Sequence, residues 1–392
     1  MTSIEVSMPE NHQHEQERRL ADRKTQARPR IEQTCINSRP ALRWGKFTAV
    51  WRLRHLVVAG LLIILLVLTS FAGVMLGNLG ISVKETWQTL QGNGDELFYR
   101  VIMERRLPRV VMAALAGLAL GASGAITQAV ARNALASPDI LGINTGASAV
   151  TLTLIVGVST LSDVRLSNVA GDTLELIGRP IAALVGAFLT ATVIWFLAWK
   201  KGIQTFRLVL IGMGISMLLG AYMQVLLLKA DSASLEAILR WSSGSLLNAT
   251  WNAVKLVGLS ICVVLFLVGW LAAKLRVASL GKDSALALGE KWNHVQAALW
   301  LTAIALSAVV VSVVGPIAFI AFVAPQIALR LTGSEIQPIA ISGLVGAVIV
   351  SGADLVARVI SPFAFPVGIV TSGIGAPVLL YLLIRTRRKM TV

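Results

Sequence analysis

Residues 295–329 contain no Asp, Glu, Lys or Arg. Drawn as one α-helix, that stretch would run about 50 Å at about 1.5 Å per residue. The hydrocarbon core of a bilayer is about 30 Å thick, so one crossing is too short for it and the segment must turn back. Gly315-Pro316 is the expected reversal, because proline lacks the N–H that continues a helix. The whole chain agrees: of 392 residues, 55% are hydrophobic and 14% charged, where soluble domains carry about 25% charge. High hydrophobicity also excludes an intrinsically disordered chain. The fold class is all-α, a polytopic membrane protein with about ten transmembrane helices.

The apolar runs fall at roughly 56–76, 107–130, 140–158, 181–199, 207–228, 253–272, 296–314, 316–333, 337–358 and 366–384. Residues 1–54 are expected to be a disordered cytoplasmic extension, residues 55–385 the transmembrane domain and residues 386–392 a basic cytoplasmic tail. An even number of spans puts both termini on one side. Eighteen Lys and Arg then flank the inner ends and eleven the outer ends, which places both termini in the cytoplasm. The net charge of +15 would suggest nucleic acid in a soluble protein. Here the basic residues flank apolar runs, so the expected partner is the lipid bilayer, with no nucleic acid.

Small residues four apart, Gly117 with Gly121 and Gly142 with Gly146, are expected at close helix contacts. Glycine and proline are expected to break apolar segments at Gly212/Gly214, Gly315-Pro316, Pro325 and Gly373/Gly375/Pro377.

No catalytic residues are identified. The sequence has no phosphate-binding G-x-x-x-x-G-K-[ST] loop and no metalloprotease or hydrolase motif. Cys35 and Cys262 cannot build a disulfide framework, and no metal site is expected. Asp354 is the only acid inside a predicted span, four residues before Arg358, which fits an i,i+4 pair on one helix. With so few intramembrane acids, a proton-coupled carrier is disfavoured, and the energy for transport must come from elsewhere. The chain is read as a transport subunit, not an enzyme.

Two segments look functional. Residues 273–295 form the longest inner loop. Within it a short Asp283-to-Leu288 stretch, containing Leu286 and punctuated by Gly281 and Gly289, suits docking of a cytoplasmic partner. The second is Arg105-Arg106-Leu107-Pro108-Arg109, at an outer helix start. Cations there oppose the helix macrodipole, so these arginines are read as serving an external acidic ligand or protein.

Several runs together resemble the permease subunits of ATP-binding-cassette importers for iron-siderophores, haem and vitamin B12, the FecCD type. They are Arg106-Leu-Pro-Arg109, Ser123-Gly-Ala-Ile-Thr-Gln128, Arg132-Asn-Ala-Leu-Ala136, Pro138-Asp-Ile-Leu-Gly142, Gly315-Pro-Ile-Ala-Phe-Ile320, Val323-Ala-Pro325, Ala353-Asp-Leu-Val-Ala-Arg358 and Pro366-Val-Gly-Ile-Val-Thr371. Thr205-Phe-Arg-Leu-Val-Leu-Ile-Gly212 and Trp241 with Gly244-Ser-Leu look most like ferric-enterobactin permeases.

That resemblance implies ten spans and pairing with a second copy or a sister permease. It also implies cytoplasmic ATP-binding subunits, an external substrate-binding protein, and a ferric siderophore of catecholate type as cargo. Alternatives are haem or vitamin B12 as cargo, or an ion-coupled secondary carrier. ATP and Mg would sit on the partner ATPase, with no cofactor in this chain, and the location would be the cytoplasmic membrane. It implies binding-protein docking at Arg106, Arg109 and Arg358, and ATPase coupling at Asp283, Ala285, Leu288 and Gly289. The chain departs from the family's pattern at Ala134, Gln326 and Lys282, where proline, histidine and often an acid are usual.

Overall fold

The computed structural model describes residues 35–36, 39–44, 47–50, 53–76, 81–139, 142–161, 178–199, 205–279, 282–289, 292–360 and 365–390. By contacts the chain divides into two units, residues 1–56 and 57–392. In the first, three short antiparallel strands pair in sequence order: β1 (Cys35–Ile36), β2 (Arg39–Trp44) and β3 (Phe47–Val50). In the backbone register of β2 and β3, Trp44 is paired with Phe47 and Leu42 with Ala49. The extension expected to be disordered thus contains these strands, and the rest of it up to residue 52 lies outside the described residues.

The second unit is helical: α1 (Leu53–Met75, which begins just before the boundary), α2 (Val83–Leu90), α3 (Glu96–Ala131), α4 (Ile143–Leu161), α5 (Arg179–Ala198), α6 (Thr205–Lys229), α7 (Ser232–Ser242), α8 (Trp251–Ser279), α9 (Lys282–Ala287), α10 (Trp292–Val314), α11 (Ile320–Thr332), α12 (Ile339–Ile360) and α13 (Val367–Met390). A helix lies at each of the ten apolar runs. Six of them (α1, α3, α5, α6, α10 and α12) are long and apolar enough to cross a membrane, and the described parts of α4, α8, α11 and α13 are shorter apolar helices. At 13 residues, α11 spans only about 20 Å.

Helix α3 is the hub. It packs against α12, α10, α11 and α8, and the fit depends on missing side chains. A Cβ on Gly117 would lie 2.2 Å from the Gly346 carbonyl oxygen, one on Gly121 2.2 Å from that of Ser342, and one on Gly124 1.7 Å from that of Ala321. In lipid, close backbone approach of this kind replaces the hydrophobic drive that packs soluble helices. Ser123 adds an interhelical hydrogen bond, donating to the Ala303 carbonyl at 2.6 Å. The expected Gly117/Gly121 contact is present. The Gly142/Gly146 pair is not one helix face: Gly142 precedes α4 with φ +77° and packs against Gly212 and Ser216 of α6, while Gly146 packs against Gly186 and Thr190 of α5.

The reversal after α10 falls where the long uncharged run requires it. Gly315 has φ +77° and Gly244, after α7, has φ +66°, a conformation glycine adopts without Cβ strain. Substituted carbons at these two positions would meet the carbonyls of Trp241 and Pro316. Ser245 donates its N–H to the Val314 carbonyl at 2.8 Å, and Gly368 its own to Gly244 at 3.2 Å. Three runs that carry the resemblance therefore meet at one junction. The other expected breaks are absent: α6 runs through Gly212 and Gly214, α11 through Pro325 and α13 through Pro377. Losing one N–H at a proline does not end a helix that its neighbours hold.

Candidate functional site

The helix that holds the R-L-P-R run departs from α geometry after its first turn, Glu96–Tyr99. Arg100–Arg106 forms a π-helical segment. Leu107 donates its N–H to Ile102, and Pro108 has no N–H to give. The Met103 carbonyl instead accepts from the indole N–H of Trp251 on α8, at 2.7 Å. Wide turns of this kind occur mostly as single-turn insertions in α-helices, frequently at functional sites, and this one ends on the buried Arg106.

Arg106 is 6% exposed. Its Nη1 donates to the carbonyls of Val74 at 3.0 Å and Met75 at 3.5 Å. From α12, Arg358 Nη1 donates to the Gly73 carbonyl at 2.6 Å. These are the last carbonyls of α1, which have no intrahelical donor, and positive charge is favourable at a helix C-terminus. Arg106 and Arg358 are therefore side-chain caps for α1, supplied by two other helices. Asp354 ties the group together. Its Oδ1 accepts from Arg109 Nε and Nη2, both at 2.8 Å, and its Oδ2 accepts from Arg358 Nη2.

The arginines read as serving an external acidic partner are therefore not open at the surface. Arg106 and Arg358 are buried, and Arg109 is nearly so. The dipole of α3 opposes Arg106, but its charge serves the opposite pole of α1. The Asp354–Arg358 pair stands as expected, and the Arg109 contact was not legible in the sequence.

In the loop between α8 and α10, Ala285 is 1% exposed and packs into the core. As a partner contact Ala285 is therefore corrected: its small side chain seats α9 on the bundle. Leu286 and Leu288 are 51% and 63% exposed. Gly289 is exposed and holds φ +78°, closing the turn with its N–H on Leu286 O at 3.0 Å. The Asp283 and Lys282 side chains lie outside the described part.

At the far end of α3 the sequence reasoning missed an amide cluster. Gln128 Oε1 accepts from Gln326 Nε2 at 2.6 Å and from Gln337 Nε2 at 2.9 Å, and Gln128 Nε2 donates to the Phe322 carbonyl at 3.0 Å. Gln326 also reaches the Ala134 carbonyl at 3.4 Å, so two departures from the family's pattern touch. In the connection to α4, Asp139 accepts from Asn144 Nδ2, and Asn144 Oδ1 accepts from Ser307. Loss of water raises the Asp139 carboxyl to about 7, against the partial relief of the Asn144 bond.

Long apolar helices joined by buried polar contacts define a polytopic membrane protein. The FecCD transport family matches residues 62–385, and the chain belongs to that family. It is 37% identical to the ferric enterobactin transport system permease protein FepG of Escherichia coli K12, over 86% of this chain and 98% of that protein. It is 36% identical to the iron(3+)-hydroxamate import system permease protein FhuG of Bacillus subtilis 168, over 85% and 98%. It is 32% identical to the hemin transport system permease protein HmuU of Yersinia pestis, over 86% and 98%. A metal-chelate-type ABC transporter solved in an inward-facing conformation superposes with a TM-score of 0.70 at 26% identity, covering 84% of this chain and 99% of that one.

Proposed function

We propose that this chain is the permease subunit of an ATP-binding-cassette importer that carries a ferric siderophore of catecholate type across the cytoplasmic membrane. The observation that carries this reading is the 37% identity to a ferric enterobactin permease over nearly the full length of both proteins. In this reading ATP and Mg are handled by separate cytoplasmic subunits. The permease pairs with a second copy or a sister chain, and both termini are cytoplasmic. The exposed Leu286 and Leu288 beside Gly289 support α9 as the contact for the ATPase. The excess positive charge of Arg106, Arg109 and Arg358 supports docking of an acidic external binding protein at the opposite end.

The test of cargo is growth. A strain lacking this chain and supplied with single iron sources is expected to fail on ferric catecholates and to grow on ferric hydroxamates and haem. Failure on hydroxamate alone reassigns the cargo class. The test of docking is the double variant R106E/R109E in the assembled complex, which is expected to abolish stimulation of ATPase activity by the binding protein. Full stimulation in that variant sinks the docking reading.

A further inference from the structure

The arginine cluster carries too much charge and has too few acceptors. Arg109 and Arg358 share the Asp354 carboxylate and Arg106 has only backbone carbonyls, so three positive charges stand against one negative charge. Arg106 Nη2 and Arg358 Nε are buried and donate to nothing among the described residues. Both residues are at least nine-tenths buried. A buried donor without an acceptor and a buried charge without a counter-charge each carry a penalty. The α1 carbonyls offset only part of it. A second carboxylate would satisfy the free donors, but neither is accessible at the surface, so an incoming acid cannot reach them by rigid docking. The cluster has to open, and Asp354 is what holds it closed.

We propose that Asp354 is the resident carboxylate of an exchangeable site. An acidic side chain of the docked binding protein takes its place on Arg109 and Arg358, and the same exchange loosens the Arg106 and Arg358 caps on the end of α1. This rests on the docking reading above and adds to it a competing residue and a mechanical consequence. The exchange replaces one arginine–carboxylate pair by another and leaves the displaced Asp354 carboxylate to be re-paired, for which Arg106 Nη2 is the open donor of the cluster. The binding energy of the partner therefore has to cover the difference between the two arrangements. Because Arg358 bridges Asp354 and Gly73, and Arg106 holds Val74 and Met75, the exchange cannot occur without disturbing α1. The contact site is thereby wired to a helix end.

The experiment uses the whole complex in lipid nanodiscs, with its ATPase subunits and binding protein. D354N keeps the shape of the side chain and removes the competing charge. It is expected to bind the binding protein about tenfold more tightly, and to raise ATPase activity severalfold when no binding protein is present. D354E keeps a competing carboxylate, so its affinity should stay closer to that of the unmodified complex. If Asp354 is only structural, D354N instead binds no more tightly while the complex melts at lower temperature, and the proposal is overturned. Should D354N not assemble, hydrogen exchange in the unmodified complex decides: amides of residues 73–76 are expected to lose protection when the binding protein docks, and unchanged protection overturns the exchange. Loss of docking in R106E/R109E with unchanged affinity in D354N would reject the exchange while leaving the docking reading intact.

Discussion

Arg109 and Asp354 are 245 residues apart in the chain and 2.8 Å apart in the structure. The Asp354 carboxylate, shared by Arg109 and Arg358, joins α3 to the last turns of α12, and Arg358 in turn holds the end of α1. A single buried acid thus fixes three helices at one end of the bundle.

Removing Arg358 leaves Asp354 with Arg109 as its remaining partner and takes the side-chain donor from the Gly73 carbonyl. R358M removes the Asp354 contact and the Gly73 cap together. Breaking a buried ion pair from one side typically costs about 3–5 kcal/mol. Thermal unfolding of the purified complex in detergent should therefore shift down by several degrees. A melting temperature equal to that of the unmodified complex would show that the cap carries no load.

Gly124 tests the helix contact at the hub. A Cβ there would sit 1.7 Å from the Ala321 carbonyl oxygen, a backbone atom that cannot rotate away. G124V must separate α3 from α11, at a cost of about 1–3 kcal/mol or more, and should lower the yield of folded protein on size-exclusion chromatography. G214V is the control. Nothing lies within 4 Å of its added Cβ in this chain, so the subunit itself should fold as before.

At the coupling loop, L288D places a charge on an exposed apolar residue and leaves the buried Ala285 anchor alone. Folding should be unaffected, while ATPase subunits co-purify at least tenfold less well. Undiminished recovery of those subunits would move the contact elsewhere on the chain.

Asp139 gives a pH signature. Its carboxyl is raised from an ordinary value near 4 to about 7 in the folded chain. The folded state holds the proton more tightly, so this group's favourable contribution is complete below about pH 4. It is lost as the pH rises through about 7. D139N has no proton to lose. Its melting temperature relative to the unmodified protein should rise between pH 5 and pH 8, and a flat difference over that range would contradict the shift.

The sequence by itself determined the membrane-spanning class, the positions of ten apolar helices and the reversal at Gly315-Pro316. An uncharged run longer than a bilayer allows no other solution. It also identified Gly117 and Gly121 as contact positions and Asp354 with Arg358 as a local pair, because both depend on spacing within one helix. Only the tertiary structure decided where the arginines point. Helix periodicity says which residues share a face, but not which distant helix end lies beside them. Arg106 reads as unfavourable on α3 until the open carbonyls of α1 are beside it. Ala285 reads as a contact residue until its burial is seen, and Gln326 and Ala134 read as unrelated departures until one reaches the other.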